Sequence, residues 1–180
     1  MLILAAVIIS ATGYIAYDSG YRAGRNYTQQ FDSDLPKKWV SKKWGYEVTF
    51  PWSWDNLKRD DPSILSMGAD IFCGNRRGAS TAVFVYPFVS GDTLDKLAGE
   101  ILAEYEKQVG PLTIIEQKVS TTGGFPLRTV IFSQGQFKHH YTFIQADKIN
   151  LAVSSNCPGD EYDAAVKDFE EIINSIRFIR

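Results

Sequence analysis

The 180-residue chain is predicted to be an α+β protein, an antiparallel β-sheet meander with two main helices packed on its faces, preceded by an N-terminal apolar helix. Three observations predict it. Apolar residues alternate with period two around Tyr46 and Phe84. Two later stretches carry apolar stripes at helical spacing. Between those stripes, four strand-like runs are separated by short turn sequences. Strands, helix, four strands, helix is an α+β order, not the alternation of a parallel βαβ sheet. Hydrophobic residues at 44% and charged residues at 22% are ordinary proportions and exclude wholesale disorder.

Residues 1–17 contain no charged side chain, and Asp18 is the first to interrupt the run. As a helix the segment spans about 25 Å, short for a hydrocarbon core of ~30 Å. Its flanks suit a membrane interface, because Tyr14, Tyr17 and Tyr21 reach headgroup level and Arg22 and Arg25 can snorkel. A membrane anchor is expected, with a cleaved signal helix as the alternative. Arg22 and Arg25 follow the run and favour a cytoplasmic C-terminal side. Residues 18–43 read as a polar and basic tether with Gly, Asn, Gln, Ser and Pro36 and no sustained period. Within it, Lys37, Lys38, Lys42 and Lys43 interleave with Trp39, a surface for a partner or an anionic leaflet.

The third segment, 44–180, is the folded domain. Trp44, Tyr46, Val48 and Phe50 alternate with polar residues until Pro51, which reads as a half-buried strand. Ile71 and Cys73 mark a second strand, turned by "GNRRG". Ala79 to Phe88 is a third, with Ala82, Phe84, Tyr86 and Phe88 on one face and Val83 and Val85 on the other, a pattern for cover on both sides. Leu94, Leu97, Ala98, Ile101, Leu102 and Tyr105 then form a helical stripe, opened by Asp92 or Thr93 and closed by Gly110 and Pro111. Strands resume at Leu112–Val119, Leu127–Ser133, Phe137–Ala146 and Ile149–Ser155. Tyr162, Ala165, Val166, Phe169, Ile172, Ile173 and Ile176 make the final helix face.

"WGYEVTFPWSW", an aromatic strand running into Pro and then Trp, and the closing "IINSIRF" resemble the ends of PsbP-like domains. The resemblance covers about Trp44 to Arg180. That family includes extrinsic photosystem subunits, a Ran-binding nuclear import factor and bacterial envelope proteins such as DcrB. It implies binding or assembly without catalysis, with another envelope protein or complex as partner. No cysteine follows the N-terminal run, which departs from the lipoprotein members.

Chemistry-bearing residues are few. Cys73 and Cys157 both fall at strand ends, where a disulfide is expected; it would close a long loop and mark an oxidising compartment outside the cytoplasm. His139 and His140 are adjacent on one strand, so they point to opposite faces and cannot share one metal ion. The alternation makes His139 a core residue and His140 a surface residue. A hydrolytic or metal-assisted enzyme would have to use His140 or the Asp60/Asp61 turn; no Gly-x-Ser-x-Gly, phosphate loop or cofactor motif accompanies them. The formal net charge of −2 gives no global basic field for nucleic acid. The expectation is a membrane-tethered, exported binding domain with no cofactor, and a cytoplasm-facing tethered adaptor if the cysteines are unpaired.

Overall fold

Alternation in "YEVTF" works as it should. In β2 (Tyr46–Phe50), Tyr46, Val48 and Phe50 have no exposed surface, and Glu47 and Thr49 face the other way. The computed structural model describes residues 37–54, 56–58, 66, 68–89, 91 and 93–179. The expected N-terminal helix, its flanking Tyr14, Tyr17, Tyr21, Arg22 and Arg25, and the Asp60/Asp61 turn lie outside these residues. No helix among the described residues is long and apolar enough to cross a membrane.

The residues expected to end the tether are folded instead. Lys37–Ser41 form β1, which pairs antiparallel with β2 in the register Trp39↔Val48. Gly45 closes this hairpin at φ 70°, a left-handed backbone that a side chain resists. The remaining strands are β3 (Asn56–Lys58), β4 (Ala69–Gly74), β5 (Ser80–Pro87), β6 (Thr113–Thr122), β7 (Phe125–Gln134), β8 (Phe137–Gln145), β9 (Ile149–Pro158) and β10 (Arg177–Phe178). Among the described residues, the helices that pack on the sheet are α1 (Leu94–Val109) and α2 (Tyr162–Ser175), the latter entered through a 3-10 turn at Gly159–Glu161. Thr93 caps α1, its hydroxyl accepting from the Lys96 N–H at 3.2 Å, and Gly110 ends it at φ 91°.

One simple meander does not describe the connectivity. A three-stranded sheet has the order β1-β2-β10, and a seven-stranded antiparallel sheet has the order β3-β4-β5-β9-β8-β7-β6. Two meanders, β3-β4-β5 and β6-β7-β8-β9, meet where β9 returns beside β5. α1 is the crossover between them. It lies on one face of the large sheet, packing Leu97, Ala98, Ile101 and Tyr105 against Phe84, Phe132, Tyr141 and Phe143. α2 and the small sheet cover the other face, where Phe169, Ile172 and Ile173 meet Tyr46, Phe50, Val83, Ile131, Leu151 and Val153. Strand β5 therefore carries its two apolar faces into two cores.

Strand β9 runs to Pro158, three residues beyond the expected end at Ser155, with every residue but the last buried. Two of its polar residues are partnered across the sheet, Ser155 with Thr81 at 2.8 Å and Asn156 with Ser80 at 3.2 Å, whereas the buried Asn150 Oδ1 has no hydrogen-bond partner.

The disulfide expectation is overturned. Both cysteines are free and buried. Cys73 on β4 pairs with Thr81 on β5, and Thr81 pairs with Ser155 on β9, so β5 separates the two cysteine-bearing strands. Two inter-strand spacings amount to roughly 9.5 Å, beyond the ~7 Å that a bridge tolerates. Burial also pushes the Cys157 thiol up to about 12, so it stays protonated and unreactive at neutral pH. We predict two alkylatable thiols per chain in denaturant without reductant, and none in the native protein over the same time. An unchanged melting temperature on adding reductant is the companion outcome. A native mass two hydrogens lighter would contradict both.

Candidate interaction surface

Strand β1 supplies most of the residues that the sequence marked as a docking surface, and its alternation divides them. Lys37 and Trp39 turn toward the domain. The Lys37 ammonium donates to the Trp54 carbonyl, and Trp39 Nε1 donates to Asp70 Oδ2 at 3.2 Å. Tyr46 donates its hydroxyl to the same carboxylate oxygen at 2.7 Å. Burial first, and then the charge of Asp70, raise the Tyr46 hydroxyl far above its ordinary value, so it remains a donor. Asp70 thus fastens the β1–β2 hairpin to β4. Lys38, Lys42 and Lys43 are exposed. Lys38 reaches Glu47 at 2.7 Å, and the Lys43 ammonium sits 4.5 Å over the Trp44 ring. Val40 is exposed on the same strand. These three exposed lysines and Val40 form a small basic face at the point where the described chain begins.

A second surface lies at the far edge of the large sheet. Nine of the ten residues of β6 are exposed. Among them are Ile114 at 44%, Ile115 at 52% and Val119 at 75% of their full surface. Lys118 pairs with Glu116 at 2.9 Å on the strand itself. A bulge at Ile115 interrupts the pairing with β7, and from Glu116 to Thr122 the register is unbroken. This strand was expected from the sequence; its exposure was not. The signal was present in "EQKVSTT", which lacks the apolar alternation of a strand with a covered face.

The histidines follow the alternation, but both are buried. His139 stacks on Phe132, with centroids 4.7 Å apart and planes 8° from parallel, and Tyr105 and Tyr141 lie edge-on to it. Neither ring nitrogen has a hydrogen-bond partner. His140, expected at the surface, is covered by α2: its Nδ1 is 3.3 Å from the Tyr162 hydroxyl, and its ring meets Phe169 edge-on. Among the described residues, no three His, Cys, Asp or Glu side chains gather to hold a metal ion. An open depression of about 430 Å³ is lined by Gln136, Phe137, Pro158, Gly159 and Asp160, a set with no nucleophile beside a base. Arg76 and Arg77 are exposed at a hairpin tip whose turn is tied by Asn75 Oδ1, accepting from the Arg77 N–H at 2.9 Å.

The two ends of the domain meet through these elements. Ser175 Oγ accepts from the Thr49 N–H at 2.8 Å, β10 pairs with β2, and the Phe178 ring lies against Phe125, tilted by 59° with centroids 4.5 Å apart. Trp54 Nε1 donates to Asp168 on α2 at 2.7 Å. Cyanobacterial PsbP (CyanoP) from Synechocystis sp. PCC 6803 superposes with a TM-score of 0.60 at 16% identity, over 83% of this chain and 95% of that one. The chain has the PsbP-like/Mog1 fold. The Ran-binding protein Mog1p of Saccharomyces cerevisiae matches this fold with a TM-score of 0.55 at 12% identity, over 82% of this chain and 97% of that one. A Bacteroides thetaiotaomicron protein matches at 0.54 and 15% identity, over 80% of this chain and 48% of that one. Neither a family model nor a curated protein sequence matches the chain.

Burial in the PsbP-like core sets a pH response. It lowers both imidazoles to about 4; at His140 the charge of Lys118 adds to the effect and Glu116 opposes it. The unfolded rings titrate near 6.5. Between those values the unfolded chain binds more protons than the native one, so stability is complete above about 6.5 and falls as pH drops. At pH 5 the loss is about 2 kcal/mol per ring. Urea midpoints at pH 7 and pH 5 measure it, and His139→Phe should remove about half of the difference. An equal loss in that variant would rule out His139 as a source.

Proposed function

We propose that the protein is a membrane-tethered binding domain without catalytic activity, which docks a protein partner through the basic face of its β1–β2 hairpin. The observation that carries this reading is the division of β1. Lys37 and Trp39 lock the strand onto the domain, while Lys38, Val40, Lys42 and Lys43 stand out from it. A rigidly held cluster of cations with one apolar side chain fits an acidic protein surface at low ordering cost. Support from fold comes from CyanoP and from Mog1p, a Ran-binding protein. Likeness of fold does not transfer a partner. Position supports the tether, because the basic residues fall at the end of 18–43, the stretch expected to tether, which follows the apolar run 1–17. We predict that photo-crosslinkers at Val40 and Lys42 of the full-length chain capture one protein partner in cells, and that K38E/K42E/K43E abolishes capture without changing the melting temperature. Crosslinks to lipid alone would make the face a membrane contact and sink the proposal.

The domain is proposed to face outward from the cytoplasm, as in the envelope members of the resembled family. Free cysteines withdraw the argument from an oxidising compartment, and Arg22 and Arg25 favour the second reading, a cytoplasm-facing adaptor. The buried thiols make the test clean. Lys42→Cys in intact cells is predicted to react with an impermeant maleimide while the native chain does not. Labelling that appears only after lysis selects the adaptor.

A further inference from the structure

The two edges of the large sheet are unlike. β3, at one edge, has three residues; β6, at the other, has ten. Short edge strands are a common protection against unwanted pairing, and a long one with exposed Ile114, Ile115 and Val119 is a template for another strand. We propose that β6 is covered by β6 of a second copy of this chain, in an antiparallel pair centred on Gln117, which joins two seven-stranded sheets into one.

Symmetry and charge together select this arrangement. The two-fold axis of an antiparallel strand pair is perpendicular to the sheet, so the α1 side of one copy continues into the α1 side of the other. Only residues on the same face then lie opposite each other, and the register changes in steps that keep one residue on the axis. With Gln117 there, Glu116 of each copy faces Lys118 of the other, so both opposite-charge pairs are made at once. A centre at Glu116 or Lys118 sets like charges against each other. A centre at Ile115 sets Ile114 against Glu116. A centre at Val119 leaves Lys118 against Ser120 and Glu116 against Thr122. The unbroken register from Glu116 to Thr122 supplies a straight strand for the pairing, and the bulge at Ile115 marks its end. This surface is separate from the basic face of β1, which belongs to the small sheet.

The test is site-specific crosslinking of the full-length chain in detergent. Gln117→Cys meets its own copy on the axis, so mild oxidation should convert most of it to a covalent dimer. Val119→Cys, displaced from its copy by four residues, should stay monomeric while reacting with maleimide. In the Gln117→Cys background, E116K or K118E alone should weaken dimerization about tenfold, two like-charge pairs replacing two favourable ones. E116K/K118E together should restore it, which a merely damaged fold cannot do. The proposal fails if Gln117→Cys labels with maleimide but does not crosslink, or if Val119→Cys crosslinks equally well. It also fails if Gln117→Cys is both monomeric and protected, since another segment of the chain or a foreign strand would then occupy the edge.

Discussion

The packing of α2 against β2 is the interaction on which the small sheet rests. Tyr46, Val48 and Phe50 are fully buried, yet β2 belongs to a sheet of three short strands that has no core of its own. A hairpin of this size is marginal when isolated. Burying three such side chains yields roughly 1.5–3 kcal/mol each, which offsets the ordering of the strand only if an apolar surface is there to receive them. Phe169, Ile172, Ile173 and Ile176 are that surface. Ser175 fixes the register by bonding Thr49, and Trp54 anchors on Asp168. These partners lie over a hundred residues apart in sequence, as the 126-residue separation of Thr49 and Ser175 illustrates. The aromatic strand and the closing helix therefore make one structural unit, which is why the two stretches that carry the family resemblance come from opposite ends of the domain.

The same constraint decides where chemistry can occur. Strand β9 sits between β5 and β8, and the face toward α1 and the face toward α2 are both sealed. Adjacent residues of β8 project into different cores, so His139 joins the Tyr105–Phe132–Tyr141 aromatic cluster while His140 lies under Tyr162 and Phe169. Both thiols are likewise enclosed. These two imidazoles and two thiols are spent on packing. Strand edges and hairpin faces are open among the described residues, and their chemistry is charge and apolar contact.

Periodicity made the helices and most strands legible. Leu97, Ala98, Ile101 and Tyr105 are buried as their spacing requires, as are Tyr162, Ala165, Phe169, Ile172 and Ile173. Strand β1 was hidden because its inward positions are Lys37 and Trp39; a lysine whose ammonium reaches a backbone carbonyl does not register as a core position. The cysteine error had a different origin. Both strand-end assignments were sound, but sequence order did not reveal that β9 would return beside β5 and leave β5 between the thiols. His140 failed for the same reason. Alternation says that two neighbours face opposite ways, and only tertiary packing says whether each face is covered.

The small sheet also settles the relation between the two open surfaces. Its β1 side is tied to β4 through Trp39, Tyr46 and Asp70, and its β10 side reaches β7 through Phe178 and Phe125. The small sheet thus spans the α2 face from β4 to β7, leaving β6 open beyond it. β1 itself is an edge, on the side of the molecule that holds β3 and β4. A pair of molecules joined through β6 keeps both β1 faces at its outer ends. In the proposed dimer, two basic faces would act together on a partner that offers two matching sites, with a separation fixed by a continuous sheet instead of a flexible linker. Rigid bivalency of this kind raises avidity without any new contact, provided that the partner's spacing matches. The modest size of the β1 face is consistent with such a design, because neither copy has to bind tightly alone.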